Sequence, residues 1–427
     1  MGIFKGSMSY VRFFAGKPSK PLSEYEKSVN SRAFVPLTPS SDMSIGWVKS
    51  QDPFGASDQI PYNDYSFGDL VVLTYRKDVH AVPKHLIREE VKKRVLQIME
   101  EQKMEDPPNR AFIKAIEASV LAELREKSLP RSKLVPVIWN TSTGEVRVFG
   151  STAFASEFVM SLFERTFEVR AELANYAGQS ATVGLLPAQL KSLNDLSKVN
   201  FLEEPILSPV TPGEDVKPRF AEMTTVGDHF LTWLYFSLRD DGMEKLGEDL
   251  GFKEKDDVET VAFAIGPRAK LSTIDGTGAK VSLTGRGLDS NQELLQAVQR
   301  GALINLLSLD VGVSDRVYSL TLKSDGSIAG LKLPDLFTDP EEDSKEQGGR
   351  KTKRRPTLPL EDILALRATC VDEVEKVVNG LLKAFLKERL SPERWTMTAS
   401  MIKLSLSVDL GKTPDRSTTE ALKAMVA

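Results

Sequence analysis

Side chains that could cut, transfer or ligate are scarce in this chain. Of 427 residues, three are histidines, His80, His85 and His229, and one is a cysteine, Cys370. A single thiol permits neither an internal disulfide nor a cysteine-based zinc site. His80 and His85 stand five apart in "HAVPKH", where Pro83 interrupts the helix that would bring two ligands onto one face. "GTGAK" (Gly276 to Lys280) lacks the spacing and the hydroxyl of a phosphate-binding P-loop and reads as a hairpin turn. Pro334-Asp335 with Asp343-x-Lys345 has the outline of a metal-dependent nuclease motif. Such carboxylates need rigid placement to hold Mg²⁺, and Asp343 and Lys345 fall in a stretch whose composition predicts disorder. The residues therefore predict no catalytic centre, no metal and no cofactor.

The chemistry that remains is that of cations. The formal net charge is −4, but contact with phosphates depends on a local basic face, so the total does not exclude a nucleic acid. Positive charge gathers in "RKDVHAVPKHLIREEVKKR" (Arg76 to Arg94), whereas "RDDGMEKLGEDLGFKEKDDVE" (Arg239 to Glu259) is strongly acidic. Arg76, Lys77, Lys84, Arg88, Lys92 and Lys93 are the candidate phosphate contacts of the first stretch. Arg286, between two glycines in "TGRGL", is a seventh, because a glycine-flanked arginine at a loop tip reaches a phosphate with little steric cost. The tract "RKTKRR" (Arg350 to Arg355) reads either as a mobile phosphate-touching arm or as a solvated linker offset by "DPEED", the linker being favoured.

These cations need elements to position them. "GDLVVLTYRK" (Gly68 to Lys77) is β-branched and bounded by glycine, hence a strand. From Pro83 to about Met104, Ile87, Val91, Val95 and Ile98 recur at helical spacing, with proline at the start, where a missing N–H costs nothing. On that helix Lys84, Arg88 and Lys92 are spaced by four and share a face. "DPPN" stops it, and a second helix carries Ile113, Ile116, Val120 and Leu124 on its buried side. "KLVPVIWNTSTGEVRVFGST" predicts a hairpin turning at Thr141 to Gly144, and "FASEFVMSLFERTF" a further helix. In the second half "HFLTWLYFSLRDD" reads as helix. "VETVAFAIGPRAKLSTIDGTGAKVSLTGRG" reads as strands with a turn at Asp275-Gly276. "NQELLQAVQRGALINLLSLDV" then "RVYSLTLKSDGSIAGLKLP" predicts helix followed by a hairpin turning at Ser324 to Gly326, and a last long helix runs from Leu360 to Lys387.

The resulting fold class is α+β, with mixed or antiparallel sheets and helical pairs. The expected divisions are an α+β region over 1–170, an insertion or linker over 171–219, a second α+β region over 220–337, a charged linker over 338–358 and a helical or extended segment over 359–427. Lys5, Arg12 and Lys17 interrupt any apolar core of a secretory signal, and no stretch approaches the roughly 18 apolar residues of a membrane span, so a cytoplasmic location without a membrane partner is expected.

In order and spacing these segments resemble the recombination-associated RdgC family of bacterial DNA-binding proteins. The resemblance is carried by "FKGSMSYVRF", "RAFVPLTPSSDMSIGWV", "GDLVVLTYRKDVHAVPKHLIREEVKKRV", "LPRSKLVPVIWNTSTGEVRV" and "GRGLDSNQELLQAVQRGALINLLSLDVGVSDRVYSLTLKSDGSIAGLKL", about two thirds of the chain. It implies a ring-shaped homodimer around double-stranded DNA, nucleoid association, weak sequence preference, and modulation of recombination by limiting access of RecA to DNA. Two residues after Leu129-Pro130-Arg131, where the family commonly has an aromatic associated with subunit contact, Lys133 stands instead. The competing readings are a metal-dependent DNA-processing enzyme, separated by Mg²⁺-dependent cleavage and substitution of Asp335 and Asp343, and a scaffold that has lost DNA binding. Preference between double-stranded and single-stranded DNA is left open.

Overall fold

The computed structural model describes residues 3–4, 6–38, 41–55, 59–103, 108–180, 185–186, 189, 193, 225–239, 261–273, 280–334 and 359–409. In chain order the first half gives strand β1 (Met8–Phe14), helix α1 (Glu26–Ser31), and strands β2 (Met43–Lys49), β3 (Ser66–Phe67) and β4 (Leu70–Val79). Helices α2 (Lys84–Gln102) and α3 (Arg110–Lys127) follow, then β5 (Arg131–Asn140), β6 (Glu145–Val148), α4 (Thr152–Phe154), a π-helical turn (Ala155–Val159) and α5 (Met160–Phe167). Next come β7 (Glu172–Leu173), α6 (Tyr176–Ser180), α7 (Thr225–Arg239), β8 (Val261–Thr273) and β9 (Lys280–Thr284). Helix α8 (Gln292–Gln299), strands β10 (Ala302–Val313), β11 (Arg316–Lys323) and β12 (Ile328–Lys332), and helices α9 (Leu360–Arg389) and α10 (Pro392–Asp409) complete the order. The pairings of β1 with β7 and β12, of β4 with β2, β3 and β5, of β5 with β6, of β8 with β9 and β10, and of β11 with β10 and β12 are antiparallel, and the architecture is α+β.

The chain forms two compact units, a smaller one of Ala15–Val148 with Phe154–Ala171, and a larger one of Met1–Phe14, Phe149–Ala153 and Glu172–Ala427. In the smaller unit β4 is central, pairing with β2 on one side and β5 on the other, and β5 turns into β6. Gly144 ends that turn at φ 81°, in the left-handed region a side chain resists, as the sequence "TSTG" leads one to expect. Trp139 on β5 is fully buried, with its ring 5.3 Å from Phe163 and 5.2 Å from Phe167 of α5, and its indole N–H donates to the Gly16 carbonyl. Helix α2 follows Pro83 and ends where Lys103 turns left-handed at φ 52°. Asn109 caps α3, its side-chain oxygen accepting from the Phe112 N–H. Ile116 and Val120 are the buried residues of α3, and α2 buries none completely.

In the larger unit β8 lies between β9 and β10, β10 pairs with β11, β11 with β12, and β12 with β1. One face is the core: Leu307, Leu309 and Val311 of β10 join Phe230, Leu231 and Leu234 of α7 and Val374, Val378, Leu381 and Phe385 of α9. The segment "GALINLLSLDV" differs from the helical expectation. Asn291 caps α8 and Gly301, at φ 86°, ends it, after which Ala302–Val313 is a strand hydrogen-bonded on both edges. An apolar run in the middle of a sheet loses the alternation that would mark it as a strand. The C-terminal helix expected as the last is followed by another, α10, whose Ile402 and Leu406 reach the core.

Candidate nucleic-acid interface

Arg76 is held inside the smaller unit. Residues two apart on a strand share a face, and the Arg76 guanidinium grips the buried Asp78 carboxylate at 3.0 and 2.7 Å. A third donor goes to the Pro53 carbonyl at 3.2 Å, and the guanidinium carbon lies 4.1 Å from the Phe34 ring centre. Its donors bind the fold together and leave little for an external phosphate. Arg76→Ala strands a buried carboxylate, so unfolding free energy should drop by about 3 kcal/mol in denaturant melts, with no loss of charge from the exposed surface.

The α2 cations sit otherwise. Lys84, Arg88, Lys92 and Lys93 are all exposed, and the first three lie along one helix face as their spacing requires. Lys93 makes a 3.6 Å pair with Glu90 that is open to solvent and contributes little. Arg94 instead turns to α3 and binds Glu123 through both guanidinium nitrogens, which holds the Glu123 carboxyl below its ordinary range. Between the helices runs a shallow apolar groove lined by Ile87, Val91, Val95, Leu96 and Met99, with Arg88 and Lys92 at its rim.

Lys77, half-buried, lies over aromatic rings. It is directly opposite Lys133 in the β4–β5 register, and its ammonium lies 4.2 Å from the centre of Phe158. The Lys133 ammonium lies 3.3 Å from the centre of Phe154.

In the larger unit the sheet face opposite the core holds a second group of cations. The register Arg268↔Thr284, Lys270↔Ser282 and Ser272↔Lys280 puts Arg268, Lys270 and Lys280 on that face together with three hydroxyl residues. Ser308, Thr321, Ala329 and Gly330 continue this side of the sheet across β10 to β12, with Ser308 and Thr321 buried beneath it, and the half-buried Leu306 stands beside Lys270 as its direct partner and opposite Lys323. Lys332, opposite Ser319, adds a further cation, and Asp310 is the acidic residue among these neighbours. Arg268 donates to the Thr321 hydroxyl at 3.1 Å. Lys270, Lys280 and Lys332 are exposed and make no ion pair among the described residues. Arg286 stands at the rim of the same unit, exposed, between Gly285 at φ 157° and Gly287 at φ 73°. The sequence reading found Arg286 and missed the lysines, whose common face follows from strand register.

The structure thus keeps Lys84, Arg88 and Lys92 together, places Lys77 beside Lys133, sets Arg286 in the other unit, and gives Arg76 an internal role. Asp335, Asp343, Asp275-Gly276 and "RKTKRR" lie outside the described residues. Among the described residues no group of three or more His, Cys, Asp or Glu could hold a metal ion, and no helix is long and apolar enough to cross a membrane. Both nitrogens of the His80 ring have oxygen partners at 3.3 Å, the Ser128 hydroxyl and the Thr38 carbonyl, and His229 is buried on α7.

Residues 7–183 match the family model described as "RdgC: Putative exonuclease, RdgC". Over this stretch the chain is similar to the RdgC family. The RdgC match runs from β1 through α6, so it includes the α2–α3 pair and the Lys77–Lys133 pair, while the sheet formed by β8 to β12 lies beyond it. The RdgC match over that stretch supports a role in recombination and DNA-related processes. Comparison with curated proteins finds no match.

Proposed function

We propose that this protein is a non-enzymatic, largely sequence-independent binder of double-stranded DNA. It closes around the duplex as a homodimer and modulates homologous recombination by limiting the access of RecA. The observation that carries this reading is the sheet face of the larger unit opposite its core, where Lys270, Lys280, Lys332 and the neighbouring loop residue Arg286 are exposed and make no ion pair among the described residues. Exposed cations held on a sheet can contact a phosphate backbone, and such contacts position a duplex without reading its bases. The exposed row Lys84, Arg88 and Lys92 supports it from the smaller unit. Leu86, Leu96, Phe112 and Leu129 are exposed apolar residues of the α2–α3 hairpin and its exit, and support a subunit contact there. The action is cytoplasmic and nucleoid-associated, and needs no cofactor.

The test is binding to linear and covalently closed duplexes of unrelated sequence across a salt series without metal, with a single strand as competitor. The expected result is sequence-independent binding that weakens steeply with salt, with loaded protein escaping from linear DNA and staying on closed circles. Absence of binding at low salt removes this reading. The family description favours a second one, an exonuclease. Loss of DNA ends that requires Mg²⁺ or Mn²⁺ and disappears on substitution of Asp335 and Asp343 would establish that activity instead.

A further inference from the structure

Two lysines that face each other across paired strands repel, and a fold normally separates them or puts a carboxylate between them. Lys77 and Lys133 are such a pair, partners in the β4–β5 register. Neither side chain makes a hydrogen bond or ion pair among the described residues. Their charges rest on rings: Lys133 is 3.3 Å from the Phe154 centre, and Lys77 is 4.2 Å from Phe158 and 5.9 Å from Phe154. The two rings lie 5.0 Å apart, on either side of the start of the π-helical turn Ala155–Val159. Phe154 is in turn wedged edge-on against the buried Tyr75, which fixes the platform to the sheet. Ring faces attract cations but accept none of the conventional hydrogen bonds that an ammonium's three donors can make. The arrangement therefore holds two ammonium groups side by side with no protein acceptor and no carboxylate to balance them among the described residues.

We propose that Lys77 and Lys133, on the Phe154–Phe158 platform, form a binding site for a backbone phosphate of the bound nucleic acid. The inference rests on the DNA-binding reading above and adds to it a residue, Lys133, that charge density along the chain did not single out. An oxyanion between the two ammonium groups offsets their repulsion and accepts hydrogen bonds from both. Partial burial and the neighbouring Lys77 charge both push the Lys133 ammonium below the usual lysine range, as a cation lacking its counter-charge should be.

The experiment compares the full chain with Lys133→Gln, Lys77→Gln/Lys133→Gln and Lys77→Arg/Lys133→Arg, measuring duplex affinity as a function of salt. Each phosphate contact contributes about 0.9 to the slope of log K against log salt. The double glutamine variant should therefore be shallower by about 1.8, and weaker by roughly 60-fold at about 0.1 M salt. Lys133→Gln alone, at an exposed position, should show half the slope change, and the arginine pair should keep the parental slope. A parental protein that binds duplex while Lys133→Gln and the double glutamine variant keep its slope and affinity overturns this site and leaves the DNA-binding reading standing. A parental protein that does not bind duplex at low salt removes both.

Discussion

Replacing Lys270, Lys280 and Arg286 together by glutamine should weaken duplex binding by several hundred-fold at about 0.1 M salt and flatten the salt slope by about 2.7. The size follows from counting contacts. Each lysine or arginine that neutralises a phosphate releases condensed counterion, so at such a salt concentration it is worth about tenfold, and independent contacts multiply. All three side chains are exposed and unpaired among the described residues, so their removal breaks no internal ion pair and the melting temperature should hardly move. The loss should be uniform across unrelated sequences, because backbone contacts carry no sequence information. Arg76→Ala supplies the opposite control: it should lower stability through Asp78 and leave the salt slope where it was. An unchanged slope in the triple variant would show that the open sheet face does not touch the duplex, and would move the search to the α2 row.

The contrast between Arg76 and Lys270 shows what a sequence discloses about a charged site. Charge density picked out "RKDVHAVPKHLIREEVKKR", and for α2 that was sufficient, because helical spacing fixes which residues share a face without further knowledge. In a strand the same knowledge is of period two, and it was available for Arg76 as well: Asp78 two residues on is its ion partner. Lys270 and Lys280 are isolated in the sequence and become neighbours only through the β8–β9 register, which no local pattern announces. Lys133 was legible as a departure from an aromatic position, but its meaning depends on Phe154 and Phe158 arriving from a later helix. Element types followed the same rule. The spacing of α2, the asparagine-capped helices α3 and α8 and the Thr141–Gly144 turn were readable from short-range chemistry, whereas β10, apolar and central, could be told from a buried helix only by its partners.

Glu375→Ala should destabilise the larger unit by about 3–5 kcal/mol, the range for removing one partner of a buried ion pair. Arg12 enters from β1 and Glu375 from α9, and their charged groups meet at 3.3 Å with both side chains almost wholly buried, 3% and 5% exposed. Asn379, one turn further along α9, accepts from the Arg12 guanidinium at 3.3 Å. Strand β1 is thereby tied to a helix more than 350 residues away in the chain. Without the carboxylate the guanidinium stays in an apolar site with its main counter-charge gone, and the desolvation it suffers on folding is no longer offset. The double variant Arg12→Met/Glu375→Leu should recover most of the loss, since two apolar side chains of similar size need no partner there. Urea melts of the single and double variants give the coupling directly, and additive losses would mean that the two groups stabilise the fold separately. The single variant should also unfold without changing the charge on the open sheet face, so at temperatures where it remains folded its DNA salt slope should equal the parental one. Stability and phosphate contact are in this way assigned to different arginines, Arg12 and Arg76 to the former and Arg286 to the latter, and each assignment can fail by itself.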